Sequence, residues 1–207
     1  MKPTDILGIT VAIGAAYFLL QSSKPKRAEF DVPKRCGEEF PCPSASTRIA
    51  VIGDSYGVGL SFRLKSLSEC CGIPFFANPK VGSGINDWKS GYKIDRALAS
   101  NPTLVIISLG ANDFGRSRKS VEPGIAQLLQ KIRQAGAQPA WVEPLLLPKR
   151  MENEDIRQAW RDTGIPRFDS RPLEFPRASD GIHLHMSGYA AWAEKLWPWI
   201  VEISQRR

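Results

Sequence analysis

The 207-residue chain carries 28 lysines and arginines against 21 aspartates and glutamates, with 43% apolar and 24% charged residues. That balance excludes a disordered, collagenous or polytopic membrane protein, and the length suits one domain of about 150 to 200 residues with or without a tail. Of the net charge of +7, residues 1–46 hold six basic and five acidic side chains, leaving +6 for residues 47–207. The charges are scattered, without the basic stripe of a nucleic-acid-binding surface, so no nucleic-acid partner is expected.

The first element is an uncharged run of 15 residues, 6–20. As a helix it reaches ~22 Å, against a hydrocarbon core of ~30 Å, unless residues 21–23 and the stems of Lys24 and Lys26 lengthen it. No small-residue cleavage pattern and no lipidation cysteine follows it, so residues 1–23 read as an uncleaved membrane anchor, ahead of a signal peptide or a buried helix. Residues 24–46 are rich in proline, serine and charge and read as a tether; residues 47–207 read as the globular domain. Cys36 and Cys42 frame a short loop in which a disulfide is expected outside the cytosol, whereas Cys70 and Cys71 are adjacent. None of the four has zinc-ligand spacing. Lys24, Lys26 and Arg27 argue for a cytoplasmic flank and the expected disulfide for an oxidising compartment. The reading follows the disulfide and places the domain outside the cytoplasm or on a particle surface.

From Thr47 onward, short apolar runs alternate with amphipathic stretches. RIAVIGDS predicts a strand, residues 58–69 a helix with Leu60, Leu64 and Leu67 on one face, and IPFFANPKVG and LVIISLGAND two further strands. Residues 121–135 predict a helix, PAWVEPLLL a buried strand, residues 152–161 a helix and residues 167–170 a short strand. The last helix, from about Ser187, carries Tyr189, Trp192, Ala193 and Leu196 on one stripe, with Pro198 expected to kink or end it. This alternation predicts an α/β fold: about five mostly parallel strands between two helical layers, in the flavodoxin-like manner, with the site at the carboxyl ends of the strands.

Three of those ends, or the loop facing them, carry chemistry. The first strand ends in Gly53-Asp54-Ser55 directly before a helix, whose amino-terminal N–H groups favour developing negative charge. The third ends in Gly110-Ala111-Asn112-Asp113, which brings an amide donor to the same edge. Asp180-Gly181-Ile182-His183 precedes the final helix, and the chain has only one other histidine, His185. A serine hydroxyl needs a base to take its proton, and the base needs a carboxylate to orient it and stabilise its cation. Ser55, His183 and Asp180 can fill those roles.

Four blocks, GDSY at 53–56, VGSGINDW at 81–88, GAND at 110–113 and DGIH at 180–183, occur in this order. Over residues 48–197 the chain thereby resembles the SGNH hydrolases, the GDSL-type esterases and lipases. The resemblance implies that Ser55 is the nucleophile, His183 the base and Asp180 its partner. It implies an oxyanion hole made by the Ser55 N–H, the Asn112 amide and the N–H of a glycine in the second block, either Gly82, which alignment favours, or Gly84. Tyr56 stands where the family name has leucine, a departure read as a matter of pocket shape.

Asp54 and Asp113 are read as local backbone acceptors, and His185 as outside the site, since H-x-H lacks a third metal ligand. Most of the six tryptophans are read as core, with Trp88 the candidate for stacking on a sugar. Arg116, Arg118 and Lys119 read chiefly as solvated loop charge. The resemblance implies a serine esterase without cofactor, and no metal is expected; the lack of a long apolar lid for lipid tails points to a small acyl ester, acetyl above all, on a glycan. A lysophospholipase or thioesterase, an acyl transferase to sugar hydroxyls, and a non-catalytic part of an envelope or virus particle stand as alternatives.

Overall fold

The computed structural model describes residues 39–147 and 151–206. The candidate anchor at 6–20 and Cys36 lie outside those residues. Among the described residues no helix is long and apolar enough to cross a membrane.

In chain order the elements are β1 (Ile49–Gly53), α1 (Ser55–Cys70), β2 (Phe75–Ala77), α2 (Tyr92–Leu98), β3 (Leu104–Ser108), α3 (Arg118–Gln134), β4 (Gln138–Val142), α4 (Glu154–Arg161), β5 (Arg167–Phe168) and α5 (Met186–Gln205). Single 3-10 turns occupy Ile85–Asp87 and Ala111–Asp113. The strands lie in the order β2-β1-β3-β4-β5, every pair parallel, which is the flavodoxin-like order the sequence predicts. IAVIG in β1 and LVIIS in β3 are unbroken apolar runs and wholly buried, as strands covered on both faces must be. α1 packs on α5 and α3 on α4 and β4. Gly53 allows the tightest approach between strands, because a Cβ there would stand 2.4 Å from the carbonyl oxygen of Ser108.

The chain leaves β1 toward β2 on one side, while β3 lies on the other. The crevice at this reversal is where α/β sheets place their ligands, and Ser55 and Asn112 follow the two strands that flank it.

Three expectations change. A short helix, α2, occupies the stretch before β3 that the sequence pattern leaves without an element. Pro198 lies inside α5 without ending it; the backbone bond it forgoes is offset by burial of Leu196, Trp197, Ile200 and Val201 around it. Cys42 bonds Cys71, Cα to Cα 5.5 Å, rather than Cys36, and Cys70 is disulfide-bonded as well. The cause is docking of the preceding segment. The Arg63 guanidinium lies over the Phe40 ring at 5.6 Å, and the Trp197 indole N–H donates to the Pro41 carbonyl at 2.8 Å. These contacts bring Cys42 to the end of α1, so the last residues of the stretch read as a tether lie against α1 and α5.

Candidate active site

β1 delivers the chain to the edge of the sheet and α1 begins at once with Ser55. The turn is fixed by Asp54, whose Oδ1 accepts the Tyr56 N–H at 2.9 Å as the helix N-cap. Ser55 is half-buried at the positive end of a 16-residue helix. Its Oγ lies 2.9 Å from Nε2 of His183, 128 residues further along the chain.

Asp180 closes the turn that carries the imidazole. Its Oδ1 accepts the N–H groups of Ile182 at 2.8 Å and His183 at 2.9 Å, which leaves Oδ2 at 2.6 Å from His183 Nδ1. Burial pushes the Asp180 carboxyl up, but the His183 ring and the two backbone N–H groups outweigh it and hold the group below its ordinary value. Asp180 is therefore an anion at neutral pH, able to keep the Nδ1–H tautomer and to support an imidazolium. The structure thus unites all three residues of the expected triad.

Beyond the end of β3, Asn112 is exposed in its 3-10 turn and gives one amide proton to the Ser83 carbonyl at 3.1 Å. The amide has two protons, so one donor remains. Ser83 sits between the candidate glycines. Its hydroxyl bonds the Gly53 carbonyl at 3.1 Å and accepts the Trp88 indole N–H at 2.9 Å, which ties this loop to the β1 end. Gly84 is buried, with its N–H given to Asp87 Oδ2 at 2.8 Å. A Cβ on it would stand 2.6 Å from Asp113 Oδ1. Gly82 is exposed, with φ +73° and open space about it.

Trp88 and Asp113 take places other than those read from sequence. Trp88 is wholly buried and braces the Ser83 loop, so it offers no stacking surface. Asp113 is not a local acceptor but binds the distant Ile85 N–H at 2.9 Å. Asp54 is buried with Oδ2 lacking a hydrogen-bond partner, and burial lifts its carboxyl to about 7. Arg116 pairs with Asp113, and Arg118 with Glu122 and Asp162, so these two charges are engaged within the chain. His185 is the N-cap residue of α5.

Tyr56 does not shape an open pocket. It is 2% exposed, edge-on to His183 at 6.2 Å and to Trp192 at 5.6 Å, and its hydroxyl donates to the Ile182 carbonyl at 2.9 Å. The same carbonyl accepts Arg177 Nη1 at 2.6 Å. No local pattern could reveal this contact across 126 residues; the substitution at the fourth position of GDSY is the only trace of it in sequence.

The profile of the GDSL-like Lipase/Acylhydrolase family matches residues 51–191. The chain belongs to that family and is an ester hydrolase. Its fold is shared by the solved structure of TesA at 19% identity and TM-score 0.62, over 75% of this chain and 99% of that one. The esterase EstA from Pseudoalteromonas sp. is similar at 19% identity and TM-score 0.55, over 76% and 97%. Axe2, an acetylxylan esterase from Geobacillus stearothermophilus, is similar at 16% identity and TM-score 0.57, over 73% and 93%. No curated protein matches the chain in sequence.

Proposed function

We propose that Ser55, His183 and Asp180 are a catalytic triad that hydrolyses small acyl esters, acetyl above all, carried by a glycan outside the cytoplasm. The observation that carries the chemistry is the unbroken path Ser55 Oγ to His183 Nε2 and His183 Nδ1 to Asp180 Oδ2. Ser55 Oγ attacks the ester carbonyl while its proton passes to His183 Nε2, and Asp180 stabilises the imidazolium. The tetrahedral oxyanion lies against the Ser55 N–H, the free amide proton of Asn112 and the Gly82 N–H. Gly82 is favoured over Gly84 because it faces solvent, whereas the Gly84 N–H is held by a carboxylate. Collapse expels the alcohol with the proton from His183. Water then gives its proton to His183 and attacks the acyl-enzyme; collapse breaks the acyl–Oγ bond, releasing the acid as His183 returns the proton to Ser55 Oγ.

The exposure of Asn112 and Gly82, which follow β3 and β2, supports a polar substrate. The acetylxylan esterase with the same fold acts on a substrate of this class. The Cys42–Cys71 disulfide supports an oxidising compartment, and the apolar run 6–20 a membrane anchor. That run also supports a second reading, hydrolysis of a lysolipid at the membrane.

Turnover of p-nitrophenyl esters from acetate to palmitate by the full chain separates these readings. Preference for acetate supports the deacetylase, and preference for palmitate the lipid substrate. Ser55→Ala should lower kcat on the order of 10⁴-fold. Wild-type turnover no better than that of Ser55→Ala would remove the enzyme reading altogether.

A further inference from the structure

The loop bearing Asp180 and His183 is shaped by its own hydrogen bonds. Ala178 N–H donates to the His183 carbonyl at 2.8 Å, Gly181 N–H to the Ala178 carbonyl at 2.9 Å, and Arg177 pairs with Leu184 in an isolated antiparallel bridge. Those bonds set its form but not its distance from Ser55. Its place is set by contacts reaching outside it. Tyr56 OH donates to the Ile182 carbonyl, the peptide unit next to the catalytic imidazole. Arg177 binds that same oxygen through Nη1 and extends Nη2 to the Leu146 carbonyl beyond β4, at 2.6 Å each.

We infer that Tyr56 and Arg177 are positioning residues for the triad, clamping the Ile182 carbonyl so that His183 Nε2 stays in bonding reach of Ser55. Tyr56 is one residue from the nucleophile, on the first turn of α1, so its hydroxyl links the base directly to the helix that carries Ser55. The phenol is buried and stays protonated, and therefore donates. The guanidinium adds a charged donor to the same acceptor, the stronger kind of hydrogen bond. A leucine at position 56 could make no such bond, so this chain holds its base by a contact that its family's name-giving motif does not supply. The inference rests on the triad proposed above.

Tyr56→Phe removes only the hydroxyl and keeps the ring. Its expected effect on p-nitrophenyl acetate hydrolysis is a fall in kcat of about tenfold, with KM within about twofold and little change in Tm. Arg177→Met should act in the same direction. A second readout is independent of turnover. With only two histidines in the chain, ¹⁵N imidazole spectra resolve His183, and its Nδ1–H resonance should be sharp in the wild type and broadened in Tyr56→Phe. Wild-type kcat together with an unchanged resonance in Tyr56→Phe would overturn the clamp, as would a lowered Tm with kcat unchanged, which marks packing alone. If the wild type fails to exceed Ser55→Ala, the esterase reading falls, and the resonance alone then judges the clamp.

Discussion

Two of the parallel strands end in a buried carboxylate, and the two are treated in opposite ways. After β4, Glu143 is wholly buried and is met by Arg157 Nη1 at 3.1 Å, Arg161 Nη2 at 2.6 Å, Arg167 Nη1 at 2.6 Å and Arg171 Nε at 3.3 Å. After β1, Asp54 is equally buried, yet it caps a single turn and leaves Oδ2 without a partner. Glu143 belongs to an ion-pair network, with Glu152, Glu154 and Asp169 answering its arginines. Asp54 adjoins Ser55, the proposed nucleophile, and there one buried oxygen goes unmet. The carboxylate beside Ser55 is left with one oxygen unmet, whereas both oxygens of the one after β4 are engaged by arginines.

That contrast can be tested from both sides. The largest effect should come from the base: His183→Ala should lower kcat on the order of 10⁴-fold, while His185→Ala leaves it nearly intact, and equal losses would refute the assignment. After β4, Glu143→Ala removes the carboxylate shared by four arginines and leaves the fully buried Arg157 only Glu152 as counter-ion, and should destabilise by about 3 kcal/mol in chemical denaturation. Its folded fraction should retain wild-type kcat, whereas a loss of activity at full folding would erase the distinction between the regions. Asn112→Ala comes next, with kcat falling about 10²- to 10³-fold and Tm unchanged, as for loss of one oxyanion donor.

The smallest effect is a pH dependence at Asp54. Its folded value, about 7, lies above its ordinary 3.8 because burial penalises the charge. Stability linked to this group is therefore fully present below pH 3.8 and is lost as pH climbs through about 7. Asp54→Asn keeps an N-cap acceptor but does not titrate. Its Tm relative to wild type should improve between about pH 4 and pH 7 and then level off; a flat difference across that range would show that Asp54 is already charged at low pH.

The strands and the three side chains that meet at Ser55 were legible because their signals are local. Unbroken apolar runs mark β1 and β3, and GDSY, GAND and DGIH each place a reactive side chain at a strand end or just before the last helix. What stayed hidden depends on contacts between distant residues. Cys42 meets Cys71 because Trp197 and Arg63 draw its neighbours inward, a fact no spacing of cysteines encodes. Trp88 is buried since its indole finds Ser83, and an aromatic residue on a predicted loop gives no sign of that. α2 buries only Ile94 and Ala97, too few positions to make a periodic pattern. Tyr56 was visible as a departure, but its partner lies in a loop that only the folded chain brings near.

The Cys42–Cys71 bond also decides where mechanical load would enter the domain. Tension applied to the chain just before Cys42 passes through that bond to the carboxyl end of α1. Ser55 lies at the opposite end, 16 residues and about 24 Å away along the helix. The pull would therefore bypass β1, whose hydrogen bonds set the floor of the crevice.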